Sequence, residues 1–579
     1  MSAPFSLRWS LGLSFGLSLL SSCALTPSGD ARAALEPAAS DAQPQAPALD
    51  TPEERAQFHV MAGEMAAGRQ QPQLAAREFL QALQYSPDAK LAARATALAL
   101  AAKDEPLALE AANKWLQLDP TSLEARQIIT RLALRAGRDD EAYAQCAAIV
   151  RDHPGGIGDG FRMVALLLAQ EPQKQQAALA LMQKLVAQYP KQAGAYQAQS
   201  LLALSFNQPQ LAESAARSAL ALTPKSKEAS LLLVGALVKK GDIDAADQVM
   251  DGLLRDNPDA DTLRLGYARL LIDADQRARA RVLLEKILKR DPKDADALYT
   301  LGTLTLDERK IDGAQAYFER LAQMADHRAD AEYFLGRIAE LRHQPQQALE
   351  HYEKVDRGAQ ALDAEVRRAA MLGKLGRLDE ARTLMEELRE QYPPLSERFL
   401  LAEGEILLDA GAYDQALKLY DQALQQQPDD DDLRYSRSLV YERMNRIADA
   451  EADLRAILQK SPDDARALNA LGYTLAVHTD RLDEADRLVS QALAQTPDDP
   501  AVIDSMGWVR FREGRLQEAL SLLQKAYAQF ADPEVAAHLC EVLWNLGQKD
   551  EARALWTKAQ KDDPDNPVLR DTIKRLGGS

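Results

Sequence analysis

The 579-residue sequence is poor in the residues that build disulfide frameworks, metal sites and nucleic-acid surfaces. It has 3 cysteines and 7 histidines, and no His-Glu-x-x-His motif or Cys/His cluster with metal-ligand spacing occurs. Its 69 basic residues are outnumbered by 87 acidic ones, and the resulting net charge of −18 repels phosphate backbones. We therefore expect no metal or other cofactor and no nucleic-acid partner.

Patterns typical of strands and of common catalytic motifs are also missing. No segment alternates with period two for long enough to predict a strand, and no Gly-x-Ser-x-Gly occurs. The one glycine-rich segment, Pro154–Gly160, follows a predicted helix rather than a strand, which disfavours a phosphate-binding loop. We interpret this segment as a flexible junction or hinge in the solenoid of repeats described next. We expect it to account for the 36-residue step between two alanines of the repeat, Ala142 and Ala178.

What the sequence does contain is a periodic alanine. The interval is 33 to 36 residues, which indicates a solenoid of helix pairs in which each pair is buried against its neighbours. A small residue at this position allows two helices to cross closely. The alanine column consists of Ala75, Ala108, Ala142, Ala178, Ala212, Ala246, Ala280, Ala314, Ala348, Ala381, Ala416, Ala450, Ala485, Ala519 and Ala552.

Proline and glycine divide each repeat into two helices of roughly 14 residues. A proline stands twelve residues after most of the column alanines and marks the turn between repeats, and acidic residues such as Asp294 and Asp464 follow as helix N-caps. Six glycines fall at the mid-repeat break, where a helix C-terminus requires a left-handed residue. They are Gly137, Gly241, Gly376, Gly411, Gly514 and Gly547.

The repeat resembles the tetratricopeptide repeat, whose signature is Trp-x2-Leu-Gly-x2-Tyr, then Ala-x3-Phe, then Pro. The resemblance covers residues 55–565 and implies an all-α fold. It implies a right-handed superhelical solenoid of about 15 helix pairs, closed by a capping helix within residues 566–579. One unit reads Leu298-x2-Leu301-Gly302-x2-Thr305, then Ala314-x3-Phe318.

The N-terminus predicts a lipoprotein signal peptide. The apolar stretch Trp9–Leu20 is too short to span a bilayer, and Leu20-Ser21-Ser22-Cys23 matches the bacterial lipobox. This match implies cleavage after residue 22 and lipidation of Cys23; the alternative is an ordinary secretory signal with a chance cysteine. Residues 23–54 are predicted to be a flexible tether. By resemblance to Gram-negative sorting, Ala24 after the cysteine implies anchoring in the outer membrane, facing the periplasm.

The family resemblance also predicts a binding groove. In tetratricopeptide repeat proteins the first helix of each pair lines a concave surface, and the positions three before and one after the signature glycine point into it. Aromatic residues and arginine are typical interface anchors, although individual residues of this set could instead pack between helices. The candidates are Tyr299, Tyr333, Arg337, Tyr435, Asn469, Tyr473, Asp504 and Trp508.

The last three repeats are similar to the LbcA-like lipoproteins of the Gram-negative outer membrane, in the segments 468–476, 504–509 and 531–539. This resemblance implies a non-catalytic adaptor that presents peptidoglycan hydrolases to a periplasmic C-terminal processing protease. Contact with the membrane would be through the lipid anchor alone. The alternative is an assembly factor for a pilus, secretion or polysaccharide-export complex. A fused enzyme is not expected, because the repeats leave no segment long enough for a catalytic domain.

Overall fold

The computed structural model describes residues 51–562 and 566–577, and every regular element in these ranges is helical. The described residues fall into two compact units, which are called here the N-terminal unit (51–310) and the C-terminal unit (311–577). The lipobox residues Leu20, Ser21 and Ser22, the cysteine Cys23 and nearly all of the predicted tether lie outside the described residues.

The N-terminal unit contains fifteen α-helices. They are α1 (Pro52–Gly68), α2 (Pro72–Tyr85), α3 (Ala89–Ala101), α4 (Glu105–Leu118), α5 (Leu123–Arg135), α6 (Asp139–Asp152), α7 (Ile157–Ala169), α8 (Gln175–Gln188), α9 (Ala193–Ser205), α10 (Pro209–Leu222), α11 (Lys227–Lys240), α12 (Ile243–Asp256), α13 (Asp261–Asp273), α14 (Arg277–Arg290) and α15 (Ala295–Asp307).

The described part of the C-terminal unit contains sixteen. They are α16 (Ile311–Ala322), α17 (Arg328–Leu341), α18 (Pro345–Tyr352), α19 (Ala361–Lys374), α20 (Leu378–Gln391), α21 (Ser396–Asp409), α22 (Tyr413–Gln426), α23 (Asp431–Arg443), α24 (Ile447–Lys460), α25 (Ala465–His478), α26 (Leu482–Gln495), α27 (Pro500–Arg512), α28 (Leu516–Gln529), α29 (Pro533–Asn545), α30 (Lys549–Asp562) and α31 (Pro567–Arg575).

The predicted helix pairs are confirmed. Within each unit the helices alternate as first and second members of consecutive pairs, α1/α2 to α13/α14 and α17/α18 to α29/α30. Every alanine of the column lies on an even-numbered helix, the second helix of its repeat along the chain. All fifteen alanines are at most 1% exposed, as expected where helices cross closely. The final helix α31 buries Leu569 and Ile573 in one hydrophobic cluster with Val542 of α29 and Trp556 of α30, which confirms the capping helix.

The helix ends also follow the sequence signals. Asp294 and Asp464 are N-caps, and their carboxylates accept hydrogen bonds from the backbone N–H of Ala297 (2.8 Å) and Ala467 (2.9 Å). The six mid-repeat glycines all have φ between 71° and 87°. Seven described non-glycine residues adopt the same left-handed conformation, with φ between 53° and 60°. The positions of glycine in the sequence could not predict these turns. The seven residues are Gln70, Lys103, Asn207, Asp275, Arg309, His343 and Asn445.

The glycine-rich segment has a packing role. A Cβ at Gly160 of α7 would lie 2.7 Å from Val150 Cα of α6, so only glycine permits this close approach. The expectation that the segment lengthens the repeat was wrong: the turn before α7 has ordinary length, and the extra residues form a 3₁₀ turn, Pro172–Lys174, between α7 and α8. A hinge at Gly155–Gly160 stays a prediction.

Candidate partner-binding face

Three consecutive first helices of the C-terminal unit each carry two polar or aromatic side chains spaced by four residues. The pairs are Asn469 and Tyr473 on α25, Asp504 and Trp508 on α27, and Glu534 and His538 on α29. Residues four apart lie one above the other on the same face of a helix. Neighbouring first helices are in contact, so the three pairs lie side by side, and we call these six residues the inner cluster.

His538 lies at the centre of the inner cluster. Its Nδ1 is 3.0 and 3.1 Å from the two carboxylate oxygens of Asp504, and its Nε2 is 3.3 Å from the hydroxyl of Tyr473. A carboxylate can only accept, so Nδ1 carries a proton; in the neutral imidazole, Nε2 then accepts from the Tyr473 hydroxyl. The imidazole also stacks on the indole of Trp508, with ring centroids 4.3 Å apart.

The inner cluster is largely shielded from solvent. Asp504 is 0% exposed, Tyr473 and His538 are 4% exposed, and Trp508 is 5% exposed. Burial, together with the nearby carboxylates, raises the pKa of the Tyr473 hydroxyl well above its usual range. Burial likewise raises the pKa of the Glu534 carboxyl well above its usual range, which favours the protonated, neutral form. The polar atoms of the Tyr473–His538–Asp504 chain therefore lie inside the fold rather than on an open surface.

Three buried polar atoms of the inner cluster make no hydrogen bond within the described residues. They are the indole Nε1 of Trp508, Oδ1 of Asn469 and Oε2 of Glu534. A buried donor or acceptor without a partner costs about 1–3 kcal/mol. The indole Nε1 of Trp508 is a donor and Oδ1 of Asn469 is an acceptor, the two kinds of group that a peptide backbone can pair with.

Four of the eight predicted groove residues therefore meet in the inner cluster: Asn469, Tyr473, Asp504 and Trp508. Prediction from sequence missed His538 and Glu534. Their spacing of four residues on α29, and the 34 residues between Asp504 and His538, are the signals that could have identified them.

Of the other four predicted residues, Tyr435 packs against the hydrophobic cluster that contains Tyr473 and Trp508, and three lie apart from it. Tyr333 and Arg337 belong to a separate network in the C-terminal unit, where the Tyr333 hydroxyl donates to Asp363 at 2.6 Å and Arg337 lies 3.4 Å from that hydroxyl. Tyr435 is half-buried under the guanidinium of Arg466, 5.0 Å from the ring centre, and burial raises its pKa to about 12. Tyr299 is half-buried on α15 of the N-terminal unit.

The described helices and acidic, histidine and cysteine side chains bear on membrane and metal binding. Between residues 51 and 562, and in 566–577, no helix combines the length and apolar character needed to cross a bilayer. In the same ranges, no group of three or more His, Cys, Asp or Glu residues is placed to hold a metal ion.

Comparisons with known proteins agree with the repeat architecture. Two tetratricopeptide repeat family models match residues 203–262, 248–303, 407–472 and 510–576, and residues 299–363 and 367–431. The chain is 31% identical over 525 residues to the TPR repeat-containing protein PA4667 of Pseudomonas aeruginosa, covering 90% of this chain and 88% of that one.

Other similar proteins either are much longer than this chain or share little sequence identity with it. The chain is 24% identical over 462 residues to cellulose synthase operon protein C of Pseudomonas fluorescens, of which it covers 36%. Among solved structures, yeast Tom70 is 15% identical with a TM-score of 0.33, covering 90% of this chain and 99% of that chain. On the strength of the family models and the Pseudomonas aeruginosa relative, this chain belongs to the tetratricopeptide repeat family.

Proposed function

We propose that this protein is a non-catalytic scaffold, anchored by a lipid on Cys23 to the outer membrane and facing the periplasm. In this proposal it presents peptidoglycan hydrolases to a C-terminal processing protease. The observation that carries the scaffold function is the inner cluster, where Trp508 Nε1 and Asn469 Oδ1 are buried without hydrogen-bond partners. The resemblance of segments 468–476, 504–509 and 531–539 to LbcA-like lipoproteins supports the choice of partners.

The inner cluster suits recognition of a protein segment. A backbone carbonyl from the partner would satisfy Trp508 Nε1, and a backbone N–H would satisfy Asn469 Oδ1. Trp508 is 5% exposed and Asn469 is half-buried, so binding at these two atoms requires side-chain shifts of the kind that are common at interfaces. Trp508 also supplies a large aromatic surface, and tryptophan is enriched among the residues that dominate binding energy.

A scaffold of this kind accelerates proteolysis without contributing a catalytic group. Holding the protease and its substrate on one chain replaces a bimolecular encounter with an intramolecular one, at an effective concentration on the order of 1 mM for short flexible linkages. Anchoring to the membrane would confine that reaction to the surface where cell-wall hydrolases act.

The test uses the purified mature chain, a C-terminal processing protease from the same envelope and a peptidoglycan hydrolase as substrate, with hydrolase degradation followed over time. We expect the chain to accelerate degradation. Trp508→Ala should reduce the acceleration at least tenfold, and Trp508→Phe, which keeps a stacking ring but removes Nε1, should reduce it less. Trp544→Phe is the matched control, because Trp544 stacks on Trp556, outside the inner cluster. Degradation at the same rate without the chain would refute the adaptor function.

An assembly factor for a polysaccharide-export complex is the second candidate. It is favoured by the similarity to cellulose synthase operon protein C, although the chain covers only 36% of that protein. Deleting the gene distinguishes the two functions. The adaptor function predicts accumulation of full-length hydrolases with normal polysaccharide export, whereas the assembly function predicts the reverse.

A further inference from the structure

Two successive even-numbered helices of the C-terminal unit end early. Thirteen of the fifteen described helices that carry a column alanine end ten residues after it, as α20 does at Gln391, ten after Ala381. By contrast, α18 ends at Tyr352, only four residues after Ala348, and α16 ends eight residues after its alanine. Residues 353–360, where α18 would continue, are not helical. The repeat is therefore interrupted at this one place.

A cavity of about 640 Å³ lies at the two early helix ends, and we call it the α17 cavity. It is lined by the last residue of α16, by residues of the first turns of α17, and by residues that follow α18. Its volume is within the range of about 300–1,000 Å³ that is usual for ligand sites. Three of its lining residues are small and apolar: Ala322, Ala325 and Ala329.

Basic side chains outnumber acidic ones around the α17 cavity, although the chain as a whole has a net charge of −18. The charged lining residues are Arg328, Lys354 and Arg357, against Glu332 and Asp356. Glu332 already pairs within the fold, since its carboxylate lies 2.6 Å from Nδ1 of His351 and 3.6 Å from Nζ of Lys354. The two arginines are therefore the groups that an incoming ligand would meet.

Backbone carbonyls hold both guanidinium groups at the cavity. Nε of Arg328 donates to the carbonyl oxygen of Ala322 at 3.4 Å, and a terminal nitrogen of Arg357 donates to that of Ala325 at 2.8 Å. The two terminal nitrogens of Arg328 have no partner among the described residues. A planar guanidinium with free N–H groups matches a carboxylate or a phosphate, which it can bind through two parallel hydrogen bonds.

The start of α17 adds to the attraction for an anion. Arg328 and Ala329 are the first two residues of this helix, and no side chain caps its N-terminus. The first N–H groups of a helix lack partners within the helix, and the helix dipole places positive charge at this end. The arginines and the helix start therefore favour the same kind of ligand.

The alanines decide which anion suits the α17 cavity. A phosphate group is polar on every side and gains nothing from the methyl groups of Ala322, Ala325 and Ala329. The last residue of a polypeptide carries a carboxylate and a side chain on the same Cα atom. An aliphatic side chain there would bury apolar surface against the alanines while the carboxylate met the arginines.

We propose that the α17 cavity binds the C-terminal residue of a partner polypeptide. The terminal carboxylate lies between the guanidinium groups of Arg328 and Arg357, and an aliphatic side chain contacts the alanines. This site uses other helices than the inner cluster and does not depend on the scaffold function proposed above. Trp508→Ala should accordingly leave binding at the α17 cavity unchanged, so the two proposals fail independently.

The probe is the fluorescein-labelled peptide Gly-Ser-Gly-Ala-Leu-Val with a free C-terminal carboxylate, titrated with the purified mature chain and followed by fluorescence anisotropy. We expect saturable binding, and amidation of the C-terminus should weaken it about tenfold or more because the charged acceptor is lost. Arg328→Gln and Arg357→Gln should each weaken it by about tenfold. Arg328→Lys keeps the charge but not the planar fork, so it should weaken binding less.

Arg377→Gln is the matched control. It removes the same charge from the same unit, but Arg377 pairs with Glu380 on α20, away from the cavity. This variant should bind the peptide as the parent does. Circular dichroism of every variant checks that the fold is unchanged.

Five outcomes would overturn the proposal. Absence of saturable binding up to millimolar chain, or equal binding of the amidated peptide, would exclude a C-terminal carboxylate as the ligand. Equal binding of an amidated peptide with an internal aspartate would assign the cavity to acidic side chains. Displacement of the peptide by inorganic phosphate, but not by sodium chloride of equal ionic strength, would assign it to free phosphate. Flotation of the unlipidated chain with phosphatidylglycerol vesicles that depends on Arg328 and Arg357 would assign it to a lipid headgroup.

Discussion

Two glycines of α7 should respond with opposite signs to the same substitution. Gly160→Ala adds a methyl group 2.7 Å from Val150 Cα and 2.9 Å from the Ile149 carbonyl oxygen, and backbone atoms cannot rotate away. Gly158→Ala adds the same group to the same helix with no atom within 4 Å. Comparing the two variants therefore separates steric conflict from helix propensity.

The expected magnitudes follow from these distances. Replacing glycine by alanine inside a helix is worth up to about 1 kcal/mol, and somewhat less for Gly158 near the start of α7. Overpacking costs about 1–3 kcal/mol, and more where only backbone can yield. Gly160→Ala should therefore lower the free energy of unfolding by roughly 1–2 kcal/mol, whereas Gly158→Ala should raise it by a few tenths.

The assay combines urea unfolding, followed by circular dichroism, with hydrogen exchange read by mass spectrometry. Repeat arrays unfold in parts, so the exchange data show whether the loss is confined to peptides from α6 and α7. At an m-value of about 2 kcal/mol per molar urea, Gly160→Ala should move the local transition down by about 0.5–1 M. If Gly160→Ala and Gly158→Ala gave the same midpoint, the close approach of α6 and α7 would be wrong.

Two further predictions concern turns and charge. Lys103 adopts φ of 56° at a mid-repeat turn, and Gly241 occupies the equivalent position of a later repeat with φ of 87°. Lys103→Gly should therefore stabilise the fold by about 0.5–1 kcal/mol, whereas Gly241→Ala should destabilise it by about 1 kcal/mol. Thermal unfolding checks both values. Hydrogen bonds from Arg481 and Arg455 lower the pKa of the Glu451 carboxyl to about 2. Because the pKa of Glu451 in the folded chain lies below its ordinary value, the ionised carboxylate stabilises the fold. This stabilisation is complete above about pH 4.5 and is lost as the pH falls toward 2. Glu451→Gln should therefore lose less stability than the parent between those pH values in acid-unfolding curves.

The sequence predicted the helix pairs because their determinants are local. Proline breaks a helix wherever it stands, and a column of alanines at constant spacing has few explanations other than repeated close crossings. The left-handed turns were predicted only where glycine occupies them. At Lys103 and Arg309 the surrounding helices impose the conformation on residues that have no preference for it, and no local signal marks them.

The candidate site was predictable only in part, for a similar reason. Positions relative to the signature glycine select Asp504 and Trp508 on α27, which the structure places in the inner cluster. In α29 that glycine is replaced by Cys540, and the same rule would have selected Ala537 and Glu541 rather than His538. His538 enters the inner cluster because of how α29 packs beside α27, which is a property of tertiary structure rather than of spacing along one helix.

Because Trp508 stacks on His538, the fluorescence of Trp508 reports on the arrangement of the inner cluster. An indole stacked 4.3 Å from an imidazole changes its emission when either ring moves. The difference between the spectra of the parent chain and Trp508→Phe isolates this signal from the other tryptophans. Binding of a candidate partner to the inner cluster can therefore be tested on the purified chain without attaching a dye to any residue.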